Sequence, residues 1–235
     1  MMQEFILFID TETTGKPLSW DAPYSDAKNW PYSVQIAWVI YTKEGQELKS
    51  ENHYINEPEQ EVSETSASIH SITKEFLEAN GKDRKHVLQL LAQDLEQYQP
   101  LVVGHFMQLD YHMLGVGFHR ANLQNPLPQL PTFCTMNATA SFWLKPWQSF
   151  LRLGELYERL FQEPLEQQHD AAVDARATAA CFFKLVEQGD ISDTTILQQQ
   201  QRQKTATQAS TFKAKASLFI ILAIFILAVL LITLL

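Results

Sequence analysis

Cysteine is nearly absent: the 235-residue chain holds only Cys134 and Cys181, in no CxxC or other paired motif. A disulfide framework is thereby excluded, and each thiol reads as a small buried apolar residue in a reducing compartment. No phosphate-binding loop is present either, because Gly115-Val116-Gly117 lacks a following Lys-Ser/Thr. Neither Ser nor Cys stands in a nucleophile-elbow setting. The opening MMQEFILFID has no basic segment and too short an apolar run for a cleavable signal. Basic residues are the remaining shortage: 18 Lys and Arg face 27 Asp and Glu. All the acids precede residue 194, whereas Arg202, Lys204, Lys213 and Lys215 follow it, so residues 1–200 carry 14 basic against 27 acidic side chains, a formal −13. Such a body argues against broad electrostatic capture of nucleic acid. A nucleic-acid enzyme whose carboxylates are neutralised by metal stays open.

Against these shortages stand 46% apolar residues and 11% aromatics, enough for a packed core. The pattern is mixed α/β. Strands are expected at Phe5–Ile9, Ser33–Thr42, Glu47–Asn56, Leu101–His105 and Thr132–Ala138, from apolar runs bounded by turn residues. Helical spacing covers Ile72–Gly81, Lys85–Tyr98, Phe150–Phe161 and Asp170–Gln188. Three strands followed by alternating helices and strands imply a mixed sheet with helices on its faces.

Ser217–Leu235 runs 19 residues without charge, Gly or Pro. As a helix it would span roughly 28 Å, close to a bilayer's hydrocarbon core. With Lys213 and Lys215 just before it, the expected arrangement is a single-pass tail anchor with the preceding residues facing the cytoplasm. The expected domains are a folded body at 1–190, a polar Gln-rich linker at 191–216 and the span at 217–235, with the lipid bilayer as partner. The linker reads as a tether or, from its Gln, Ala and Lys content, as a helix.

Chemistry-bearing residues fall in three places. In FILFIDTETTG, Asp10 and Glu12 sit two apart at a strand end and so project to one face. Like charges that close raise each other's pKa unless a cation lies between them; alone, the stretch reads equally well as a solvated strand end and turn. In VVGHFMQLDYHML, Asp110 follows the fourth strand near the start of a helix, which Gly115 and Gly117 are expected to break. In HDAAVDARAT, His169 and Asp174 are five residues apart, about 140° around an ideal helix. His169 therefore belongs in the loop before the last helix, with Asp174 on that helix's inner face.

Taken together the three stretches resemble the DEDDh 3'–5' exonuclease family, of ribonuclease-H-like fold. DTETTG supplies Asp10 and Glu12, GHFMQLD supplies Asp110, and HDAAVDA supplies His169 and Asp174, in the family's order. ASIHSIT, Ala67–Thr73, also looks like a family segment, and the resemblance covers residues 4–188. It implies a ribonuclease-H-like five-stranded sheet and two divalent cations, Mg²⁺ or Mn²⁺, held by Asp10, Glu12, Asp110 and Asp174. It further implies cations roughly 3.5–4 Å apart on the scissile phosphate, and His169 as the base that deprotonates the attacking water. The implied reaction trims single-stranded DNA or RNA from the 3' end to nucleoside 5'-monophosphates. Thr13, Thr14, Phe106 and Arg176 are candidate substrate contacts. Two other readings are a catalytically weak nucleic-acid-binding module of this fold and a phosphodiesterase for very short oligonucleotides.

The chain departs from the family in three places. Phe106 stands where Asn is usual and Leu109 where Phe is usual, and Ser71 replaces a Gly. The Lys16–Tyr32 insertion carries Trp20, Tyr24, Trp30 and Tyr32, which either stack on bases or pack over the sheet edge. His105, His112 and His119 recur every seven residues but are not read as a zinc stripe.

Overall fold

A computed structural model of the chain describes residues 2–142, 150–202, 204 and 205. Alternating apolar residues build five strands: β1 (Phe5–Thr13), β2 (Ser33–Thr42), β3 (Glu47–Tyr54), β4 (Leu101–Gly104) and β5 (Thr132–Cys134). They form one mixed sheet in the order β3-β2-β1-β4-β5. β1 is antiparallel to β2 and parallel to β4, and β4 is parallel to β5. The helices are α1 (Glu64–His70), α2 (Lys74–Asn80), α3 (Arg84–Tyr98), α4 (Met107–Arg120), α5 (Thr135–Ala138), α6 (Leu153–Phe161) and α7 (Ala171–Gln188).

Both faces of the sheet are covered, and the strand period of two divides the core accordingly. Leu7 and Ile9 of β1 face a cluster with Val87, Leu88, Leu91 and Leu95 of α3 and Leu114 and Phe118 of α4. Ile6 and Phe8 face the other way, onto Leu156 of α6 and Cys181, Phe182 and Leu185 of α7. Ile191 and Ile196, which the sequence places in the linker, are buried with that second cluster. The sheet and its helices form one unit, Met1–Ile196, and a second unit is Leu197–Leu235. Residues 197–202 of the latter are helical.

Local chemistry explains the helix ends that matter for the site. Asp170 caps α7, accepting from the backbone N–H groups of Ala172 and Val173, and Gly189 closes it in the left-handed conformation (φ 82°). Ser71 closes α1 in the same conformation (φ 59°), a position that suits glycine better than a residue with a Cβ.

Three elements differ from the sequence expectation. β1 runs four residues beyond Ile9, so Asp10 and Glu12 lie within the ladder, opposite Ala37 and Gln35. The Thr132–Ala138 strand stops at Cys134, and the short α5 follows. Gly115 and Gly117 do not break α4. A Cβ on Gly115 would lie 2.5 Å from the Tyr24 ring, and one on Gly117 would lie 3.2 Å from Leu88. The glycines let the insertion and α3 pack close to an uninterrupted helix. Among the described residues no helix is long and apolar enough to cross a membrane, and the 217–235 stretch lies outside them.

Candidate active site

The carboxyl ends of the parallel strands β1 and β4 are where an α/β sheet leaves a crevice for a ligand. Glu12 sits on β1 on the same face as Asp10, Asp110 enters from the first turn of α4, and Asp174 from the first turn of α7. Thr11, between the two acids of β1 on the opposite face, donates its hydroxyl to Asp110 Oδ1 at 2.8 Å. Gly104 leaves the room for that carboxylate, since a Cβ there would stand 3.0 Å from Asp110 Oδ2. His169 lies in the loop before α7 with φ 68°, and its backbone N–H donates to Asp174 Oδ2 at 3.1 Å. Its exposed ring reaches a cluster in which ligand atoms of Glu12, His169 and Asp174 all lie within 4.8 Å of one another.

Electrostatically the site is unstable by itself. Burial, then repulsion from Asp110, Asp174 and Glu12, holds Asp10 well above the usual carboxylate range. Burial, followed by Asp174 and Asp110, raises Glu12 to about 8. Asp110 rises to about 7 by burial, against the hydrogen bonds from Thr11 that pull it down. Asp174 rises to about 6, again by burial first. Its Oδ1 is buried with no hydrogen-bond partner among the described residues. A buried acceptor without a donor beside three further carboxylates is a donor set for a cation. All are hard oxygens, suited to Mg²⁺, Mn²⁺ or Ca²⁺.

The remaining candidates are used within the chain. Thr13 donates its hydroxyl to Gly15 O at 2.7 Å, and Thr14 Oγ1 accepts from the Tyr32 N–H at 3.0 Å. Both threonines shape the turn that opens and closes the insertion. Arg176 is not brought to the carboxylates: it pairs with Glu47 Oε1 at 3.0 Å, at the end of β3 opposite the crevice. Phe106 is the residue before α4 and makes no side-chain cap. His105 is structural, joining Thr135 Oγ1 and Leu151 O at 3.0 Å each.

Sequence reasoning missed Thr11, Gly104, Gln35 and the cap Asp170. Gln35, wholly buried opposite Glu12, donates to Asp170 Oδ1 and accepts from Ala171 N–H, so it fastens the start of α7 to β2. A glutamine in the apolar run SVQIAWVIYT was the available signal. An α/β sheet with helices on both faces and four acids at one crevice has relatives: a model of the exonuclease family RNase T matches residues 7–182. The chain belongs to this exonuclease family. Its members are enzymes, hydrolases of phosphodiester bonds. No curated protein matches the chain.

The fold of this RNase T family chain is shared by solved structures of low identity. E. coli exonuclease I with a dT13 oligonucleotide is 18% identical, with a TM-score of 0.65 over 79% of this chain and 41% of that one. A zinc-bound form of E. coli exonuclease I with single-stranded DNA is 19% identical at a TM-score of 0.65, covering 79% and 41%. A 3'-exonuclease recognising a histone mRNA stem-loop is 13% identical at 0.61, covering 80% and 84%. The chain thus spans less than half the length of the exonuclease I structures it matches.

Proposed function

We propose that this chain is a two-metal-ion 3'–5' exonuclease that shortens single-stranded DNA or RNA and releases nucleoside 5'-monophosphates. One observation carries the reading. Four carboxylates from β1, α4 and α7 converge, and one of their oxygens, the buried Asp174 Oδ1, meets no donor among the described residues. Asp10, Glu12, Asp110 and Asp174 would hold two divalent cations, with Mg²⁺ or Mn²⁺ favoured by the oxygen donors. Bound there, the cations supply positive charge for the scissile phosphate and for the departing 3' oxygen.

The chain's own residues do the rest. Thr11 and Gly104 set the Asp110 carboxylate, and Gln35 and Asp170 set the start of α7, so Asp174 is held before substrate arrives. His169 is fastened through its backbone N–H, which leaves the imidazole free to turn. Its ring nitrogen accepts the proton of the attacking water and passes it to solvent, a role its exposure permits. The Ser217–Leu235 stretch is proposed to anchor the chain in a bilayer as a single span, with the nuclease on the cytoplasmic side beside Lys213 and Lys215.

The test uses the full chain in detergent with 5'-labelled single-stranded DNA and RNA, with Mg²⁺ or with a chelator. A ladder shortening from the 3' end is expected, lost with chelator and in Asp174→Ala. His169→Ala keeps the backbone N–H that holds Asp174, so it should lower kcat about a hundredfold with little change in KM. Intact oligomers bound in Mg²⁺ would replace this reading by a binding module, and cleavage confined to the shortest oligomers would make the chain a small-substrate phosphodiesterase.

A further inference from the structure

Where β2 and α3 begin and α4 ends, a cleft of about 270 Å³, counted out to its open mouth, is lined by Tyr32, Ser33, Arg84 and Arg120. Its apolar lining includes Ile36 and Leu88, which belong to the cluster under α3 and α4. Asp10 and Glu12 project to the other side of the sheet, the side of Ile6, Phe8 and α7. The cleft therefore lies behind the strands that carry the acids. Ser33 pairs with Thr13 at the end of β1, so the two sites share a strand pair but not a face.

Two guanidinium groups meet in the cleft, and neither is fully answered by the chain. Arg120 is half-buried and donates from its terminal nitrogens to neutral carbonyls, Pro31 O and Trp30 O, at 2.7 Å each. Among the described residues it forms no ion pair. Arg84 pairs through one terminal nitrogen with Glu57 at 3.2 Å, and its Nε–H is buried with no hydrogen-bond partner among the described residues. A buried donor on a charged group is costly to leave unmet. Burial holds the Arg120 guanidinium below its usual pKa and the Arg84 charge pushes the same way, while Tyr32, Glu57 and Glu59 act against them. A water would meet the Nε–H but leave the two like charges opposed; an anion answers both. The planar fork of guanidinium donors matches an oxyanion. The cleft is smaller than the roughly 300–1,000 Å³ of pockets that enclose whole organic ligands, which limits the occupant to a single phosphoryl group.

We infer that Arg84 and Arg120 form a binding site for one phosphoryl group, on the opposite face of the sheet from the carboxylates. It does not depend on the exonuclease reading. A group bound there ties the start of α3 to the end of α4 and, through Arg120, to the returning limb of the Lys16–Tyr32 insertion. Because it binds the folded chain, it stabilises that chain in proportion to its occupancy. Inorganic phosphate, the phosphate of a mononucleotide and a phosphodiester of a strand share the chemistry that the two guanidinium groups recognise.

The test follows thermal unfolding of the full chain in detergent with a chelator, which keeps cation-bridged phosphate off the carboxylates. Inorganic phosphate at about ten times its Kd should raise the midpoint by about 3–6 °C over chloride at equal ionic strength. Arg84→Lys keeps a cation for Glu57 but lacks the Nε–H and the fork; it and Arg84→Met should weaken phosphate binding about tenfold or more. In isotope-labelled wild type the Arg84 Nε–H resonance should move with the same Kd, which a general salt effect does not produce. If a variant fails to melt cooperatively, that wild-type resonance decides alone. Thymidine 5'-monophosphate and an oligothymidylate are titrated in the same way. Arg84-dependent binding of either assigns the group to a mononucleotide or a strand, and binding of phosphate alone assigns it to the free ion. A midpoint shift that chloride reproduces or that survives in both variants, or an Nε–H resonance that no phosphate compound moves, overturns the site.

Discussion

The carboxylate cluster should make the metal-free protein lose stability as pH rises, and Glu12 gives the size of the effect. Its carboxyl moves from 4.5 to about 8 on folding, through burial and then repulsion by Asp174 and Asp110. The folded chain therefore keeps a proton that the unfolded chain releases. The stability this proton lends is fully present below pH 4.5 and is lost as pH rises through about 8. The displacement from 4.5 to about 8 corresponds to a ceiling of about 5 kcal/mol at ~1.4 kcal/mol per pH unit. Asp110 and Asp174, raised to about 7 and about 6, titrate in the same window and share protons with it. A single neutralisation should recover about half, some 2–3 kcal/mol.

The assay is urea unfolding of wild type and Glu12→Gln in chelator, from about pH 5 to about pH 8. Burial lowers the pKa of His70 and His105, which works in the opposite direction, so the difference between the two proteins is the quantity to follow. The variant should gain over wild type as pH rises. Saturating Mg²⁺ should add about 3 kcal/mol or more to wild type at the upper pH and distinctly less to the variant. A difference that stays flat with pH, or equal Mg²⁺ stabilisation of both proteins, would refute the cation-compensation argument.

Gly104→Ala should displace the Asp110 carboxylate, because the new Cβ would lie 3.0 Å from Oδ2 and 3.3 Å from Met107 Cα. A shift of a few tenths of an ångström should cost roughly tenfold in kcat, read beside a thermal melt that shows the fold retained. Ser71→Gly should stabilise the protein by up to about 1 kcal/mol in urea unfolding, since φ is 59° there. Phe106→Asn should restore a cap to α4 and raise stability by about 0.5–2 kcal/mol in urea unfolding. Affinity for a single strand should fall only gently with salt, with a slope near −1.5 or shallower, if no more than about two cations meet phosphates. Lys49, Arg84, Arg176 and Lys184 are paired with carboxylates of the chain itself, which reduces the number of cations open to phosphates.

What could be seen in the sequence was whatever local pattern encodes. The mixed sheet followed from five apolar runs with turn residues between them, and the exonuclease family from three short acidic motifs in order. The position of His169 followed from helix geometry alone, since five residues cannot put both His169 and Asp174 on one helix face. The failures share a cause: each depended on a partner far away in the chain. β1 was expected to stop at Ile9, because two charges look like an exit to solvent; the β2 ladder carries the strand on to Thr13. Gly115 looks like a helix breaker until Tyr24, ninety-one residues earlier, is seen lying where its Cβ would be. Arg176 looked available beside Asp174, but Glu47 on the edge strand holds it. Gln35 and Thr11 carried no motif at all, and their roles exist only once β2 meets α7 and β1 meets α4.

The acidity of the body and the composition of the site bear on one another. A phosphate chain approaching a body with 27 acids against 14 bases in its first 200 residues meets repulsion, and four of those acids are gathered in the crevice itself. Cations held by Asp10, Glu12, Asp110 and Asp174 would reverse the sign of the field at the carboxyl end of β1 and β4. On the proposed reading, cations there would favour substrate binding at the point of cleavage. If the proposed span at 217–235 holds the chain at a membrane, it would add a spatial restriction on the strands that meet the crevice.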